Sequence, residues 1–130
     1  MNINIPISYG ELLDKLTILE IKQRKITNQD KLKNINNEYL KLDDVAKYLK
    51  NIDKVKYETF YKKLFEINLS LWEIEDKIRI LEKNKLFESE FIELARKVYF
   101  TNDKRFEIKS KINEHFGSEF FEEKQYVDYE

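Results

Sequence analysis

From Tyr57 to Leu81 the chain sets an apolar residue at every third or fourth position: Tyr57, Phe60, Leu64, Ile67, Leu71, Ile74, Ile78 and Leu81. Steps of three and four keep side chains on one face of a helix, whereas a strand needs steps of two. The spacing predicts a single helix over 54–84, about 45 Å long at a rise of about 1.5 Å per residue. Two glycines and one proline in 130 residues leave few sites for tight turns, which argues against a sandwich or barrel. The expected class is therefore all-α, in one domain over 1–130.

Three further helical segments surround this one. Ser8 and Glu11 have the spacing of a capping box, so a helix is predicted over 9–26 with Leu12, Leu13, Leu16, Leu19 and Ile26 inward. Residues 2–7 alternate polar and apolar, but Pro6 makes them an extended lead-in rather than a central strand. A second helix is expected over 30–50, with Leu32, Ile35, Tyr39, Leu42, Ala46 and Leu49 along its seam and Asp53 capping the helix that follows. The short break at 51–53 makes these two long helices an antiparallel hairpin that sets Leu49 by Tyr57, Tyr39 by Ile67 and Leu32 by Ile74. The end of the longer helix, 75–84, then lacks a mate, and the N-terminal helix and C-terminal helices pack on that open end. Ser89 is the expected cap of a helix over 90–101. Thr101-Asn102-Asp103 either caps a fifth helix or lies within one long one that ends at Gly117. Residues 118–130 form a tail with aromatic side chains, able to fold back or to fray.

Composition removes several function classes. Without cysteine there is no disulfide framework, thiol nucleophile or zinc knuckle. A formal charge of −1 gives no wholesale attraction to nucleic acid or anionic lipid, and the apolar runs are too short to span a membrane. Residues 31–63 carry nine lysines against five acids, which reads as a solvated face. Met1 to Ser8 show no leader pattern, so the expected location is cytoplasmic, with neither nucleic acid nor membrane as partner. The lone histidine, His115, is expected to support a helix end rather than to act as a base.

Polar residues that interrupt apolar stripes mark the candidate site. Beside the main seam of the longest helix runs a second stripe, Tyr61, Phe65, Asn68, Trp72, Glu75, Arg79 and Glu82, apolar at first and then ionic. Glu20 continues the line of Leu13 and Leu16. Asn102, Arg105 and Lys109 break a face otherwise built from Phe91, Ala95, Val98, Ile112 and Phe116. The hairpin brings these segments together, so Glu20, Glu75, Arg79, Asn102, Arg105 and Lys109 are expected to converge on a partly buried pocket, with Asp76 and Asp103 flanking. Such a cluster serves either as an internal salt-bridge network or as a receptor for an anionic small molecule, since arginine's fork suits carboxylate and phosphate. No cofactor is expected. In an enzymatic alternative, Glu73, Glu75, Asp76 and Asp103 supply oxygens for Mg²⁺. Glu73-x-x-Asp76 matches half of the paired carboxylate motif of all-α nucleotide pyrophosphohydrolases, with no E-x-x-E partner on the first helix.

Several stretches carry a more specific signal. Pro6 through Lys22 (PISYGELLDKLTILEIK), Leu71 through Arg79 (LWEIEDKIR), Leu94 to Asp103, and Glu122 through Tyr126 together resemble a family of small bacterial and phage proteins known only as a domain of unknown function. The resemblance implies proximity to glycosyltransferase or surface-polysaccharide genes and supplies no catalytic residues. Residues and resemblance together lead to the expectation of a helical binding module for an anionic small molecule or sugar phosphate. Self-association is expected along apolar flanks of the hairpin such as Tyr61 and Phe65. A metal-dependent enzyme acting on a nucleotide or sugar phosphate, and a purely structural oligomerisation module, stand as alternatives.

Overall fold

Ser8 opens the first helix as its capping-box position predicts, its Oγ accepting a hydrogen bond from the Glu11 backbone N–H at 3.2 Å. The computed structural model describes residues 1–129 as four helices: α1 (Tyr9–Lys25), α2 (Gln29–Ile52), α3 (Lys54–Lys83) and α4 (Ser89–Phe116). No strand occurs among the described residues. Asn28 caps α2, and Asp53, the single residue between α2 and α3, caps α3 by accepting from Lys56 N–H.

In the C-terminal third, the alternative left open at Thr101-Asn102-Asp103 resolves to one long helix, with these residues inside α4. One expectation changes: Ser89 is not the cap, because Glu88 holds the cap position and makes no side-chain bond to the helix start. Gly117 ends α4 at φ 72°, the left-handed conformation that glycine adopts without a Cβ clash.

The centre of the molecule is α1. It buries Gly10, Leu12, Leu13, Asp14, Leu16, Thr17, Leu19 and Ile21, and it touches each of the other three helices. A helix buried on several sides has no fully wet face, so its polar positions must find partners inside. The most extensive packing joins α3 to α4, whereas α2 leans more on α1 than on α3. Accordingly α2 fully buries only Ala46 and Leu49, and Leu32, Ile35, Tyr39 and Leu42 are half-buried. The core runs from Leu12, Leu13 and Leu16 through Leu49, Tyr57, Phe60 and Leu64 to Ile112 and Phe116. His115 ties the end of α4 to the start of α3: its Nε2 lies 2.9 Å from Asp53 Oδ2 and its ring meets Phe60 and Phe116 edge-on.

Residues 118–129 lack helix and strand but fold back along α4. Ser118 is buried, its Oγ accepting from Tyr9 N–H. Lys124 Nζ sits 5.2 Å from the Phe106 ring centre, and Tyr129 packs edge-on against Tyr99 and Phe100 and donates to Asp103. Phe120, Phe121, Tyr126 and Val127 remain exposed.

Candidate functional site

Asp14 is the buried pivot of the polar network. Only 1% exposed, its carboxylate accepts from Arg105 Nε at 2.8 Å, from Arg105 Nη2, and from Asn68 Nδ2 at 2.9 Å. Asn68 Nδ2 also donates to Thr17 Oγ1 at 2.9 Å, and that hydroxyl donates to the Asp14 backbone carbonyl. One side chain from each of α3 and α4 thus closes on two from α1. Burial pushes the Asp14 carboxyl up, but hydrogen bonds from Arg105 and Asn68 and the charges of Arg105 and Lys109 outweigh it, and its pKa falls below the ordinary value.

One turn along α4, Lys109 is also buried. Its Nζ lies 2.9 Å from both Glu11 Oε2 on α1 and Glu122 Oε2 on the tail. Burial alone would lower the Lys109 pKa, yet these two carboxylates, with the charge of Asp14, raise it, so the ammonium stays charged. Close approach of α1 and α4 makes this possible. Gly10 N–H donates to Asn113 Oδ1 at 2.7 Å, and a Cβ on Gly10 would stand 2.6 Å from the Lys109 carbonyl oxygen.

Beside this network lies an open groove of about 430 Å³ between α1, α3 and α4. Ile18, Ile21, Leu71 and Trp72 provide its apolar lining; Asn68, Glu75, Asp76, Arg79, Asn102 and Arg105 provide its polar groups. Arg105 spends Nε and Nη2 on Asp14, leaving Nη1 with only a 3.5 Å contact to Asn102 Oδ1. Arg79 reaches Glu75 at 3.7 Å and is largely exposed. A second cavity of about 240 Å³ adjoins it through Asn102 and Arg105, and Glu11, Lys109, Glu122 and Lys124 also line it.

Of the six residues expected to converge, Glu75, Arg79, Asn102 and Arg105 share the groove, and Lys109 lies in the adjoining cavity. Glu20 does not join them. It accepts from the Tyr61 hydroxyl at 3.1 Å and pairs with Arg24 at 3.0 Å, outside both linings. Asp76 does flank the groove, whereas Asp103 is engaged by Tyr129. Sequence reasoning passed over Asp14, Thr17, Glu11 and Glu122. Gly10, Asp14, Thr17 and Ile21 step by four, three and four, a helix face of its own that would have exposed the first two. Among the described residues no group of three or more His, Cys, Asp or Glu stands together to hold a metal ion, and no helix is long and apolar enough to cross a membrane.

No curated protein and no solved structure matches this chain. A family model does, over residues 2–129, taking in α1 to α4 and the polar network they enclose. The chain belongs to the family of unknown function DUF6165.

Proposed function

We propose that this protein is a non-catalytic binding module whose groove receives a sugar phosphate. The observation that carries this reading is the groove's mixed lining, with a half-buried tryptophan beside two guanidinium groups. Its volume lies in the range of small-molecule sites, about 300–1,000 Å³. Trp72 offers a flat apolar platform for a sugar ring. Glu75, Asp76 and Asn102 offer acceptors to its hydroxyls. Arg79, loosely held, is free to turn toward a ring hydroxyl, and Arg105 is already oriented by Asp14 to meet the phosphate, so little ordering cost falls on binding. The enzymatic alternative draws on Glu75 and Asp76 alone within this groove. A sugar-phosphate ligand suits a cytoplasmic protein, and it suits the proximity to surface-polysaccharide genes that the family resemblance implies.

Trp72 is the single tryptophan, so its fluorescence reports on the groove alone. Glucose 1-phosphate and related hexose phosphates are expected to change Trp72 emission and to raise Tm without turnover. Arg79→Met should weaken that binding roughly tenfold, the loss of one charge-assisted hydrogen bond, with little change in the stability of the free protein. Unaltered emission and Tm across the hexose phosphates would refute the reading.

A second observation supports self-association as part of the same proposal. Val45, Tyr48 and Ile52 step by three and four on α2 and, with Val55 across the turn, all stand more than half exposed. This apolar line is a free flank of the α2–α3 hairpin. Sedimentation equilibrium should find an oligomer that Tyr48→Lys dissociates; a monomer at all concentrations would contradict it.

A further inference from the structure

The geometry points to a phosphate subsite in the cavity next to the groove, at the place now taken by the Glu122 carboxylate. Glu122 lies between two ammonium groups, with Oε2 at 2.9 Å from Lys109 Nζ and Oε1 at 3.8 Å from Lys124 Nζ, and Arg105 lines the same cavity. An anionic group held among three cations is what a phosphate monoester requires. The Lys109 side chain is more than nine-tenths buried and aimed at that carboxylate, so the subsite is built and not a surface accident.

Glu122 is the exchangeable member of this set. Lys109 already has a fixed partner in Glu11, which the first turn of α1 holds in place. The buried ammonium is therefore not left without a partner when Glu122 leaves. Glu122 itself belongs to a segment without helix or strand, and its side chain is more than a third exposed. Lys124 is steadied separately by the rings of Phe106 and Tyr126, so it stays behind as the acid swings out. With Glu122 withdrawn, the lining keeps Arg105, Lys109 and Lys124 against Glu11, and Asp14 behind Arg105, an excess of one positive charge.

This inference rests on the sugar-phosphate reading and deepens it: Asn102 and Arg105 line both cavities, so the sugar lies by Trp72 and its phosphate reaches past Arg105 to Lys109. The Glu122 side chain is then a built-in competitor that the ligand must displace.

The test is calorimetric titration of the full chain with inorganic phosphate, at ionic strength held constant with chloride. Glu122→Gln should bind phosphate about tenfold more tightly than the wild type, and Lys124→Met severalfold more weakly. Equal phosphate affinity in wild type and Glu122→Gln, or no phosphate binding by either, overturns the subsite. Those outcomes leave the groove reading to Trp72 emission with glucose 1-phosphate. Conversely, tighter phosphate binding by Glu122→Gln with a silent Trp72 keeps the subsite and removes the groove reading.

Discussion

Asp14→Asn is expected to lower the unfolding free energy by about 3 kcal/mol, and Tm by roughly 10 °C. The substitution keeps shape and volume but removes the charge that holds Arg105, and it turns an amide N–H toward donors that need an acceptor. Breaking a buried ion pair from one side generally costs about 3–5 kcal/mol, because the remaining charge stays buried without compensation. The lower end applies, since the Arg105 side chain keeps 29% exposure and can recruit water. Urea titration provides the measurement, and an unchanged midpoint would show that Asp14 holds nothing together. The double variant Asp14→Leu with Arg105→Met should recover part of the loss, because it removes both charges and leaves only one Asn68 amide N–H short of an acceptor.

The same pair sets an acid limit. The folded-state pKa of Asp14 lies below that of the unfolded chain, so on acidification the unfolded state takes up the proton first. The contribution of Asp14 is fully present above about pH 5 and is lost as pH falls through the ordinary carboxylate value of about 3.9 and then through the lower folded value. Asp14→Asn should lack that part of the acid transition.

Asp14 also shows where the sequence stops being legible. Arg105 and Lys109 stood out because they interrupt a face that is apolar on either side of them, and the structure does enclose them. Asp14 sits between Leu13 and Leu16, where a surface helix would turn it to water. It is buried because α1 is wrapped by three helices, and periodicity within one helix does not say how many neighbours that helix has. Glu20 failed in the opposite direction. It follows Leu13 and Leu16 in register and keeps to their side of α1, but that side faces Tyr61 at the core edge, where Glu20 also pairs with Arg24, whereas Ile18 and Ile21 are the α1 residues that face the groove. Glu122 was illegible because its partner lies across a tail with no periodicity to place it. The helix ends were better marked: Ser8, Asp53 and Gly117 each act through their own backbone neighbours. The merger of 90–101 with the residues after it was not, since Thr101-Asn102-Asp103 suits a cap and a helix interior alike until Arg105 and Asn102 are seen facing the same cavities.

Gly10→Ala should reverse the sign that helix propensity assigns it. In an open helix the substitution stabilises by about 0.8–1.0 kcal/mol, since glycine is the poorer helix former. Here the added Cβ would stand 2.6 Å from the Lys109 carbonyl oxygen, 3.1 Å from its carbonyl carbon and 3.0 Å from Asn113 Oδ1. Two of these three atoms belong to the α4 backbone, which no rotamer change can move. Relief requires α1 to lift from α4, and that stretches the Gly10 N–H to Asn113 bond and the Glu11–Lys109 pair together. Overpacking of this kind costs about 1–3 kcal/mol before such losses, so a net destabilisation of about 3 kcal/mol is expected. Gly117→Ala is the control. Its Cβ would meet nothing within 4 Å, and only the φ of 72° opposes it, at about 1–2 kcal/mol. Parallel urea titrations separate the two. Were Gly10→Ala neutral or stabilising, α1 and α4 would not approach as closely as described, and neither the Lys109 enclosure nor the subsite beside it would stand.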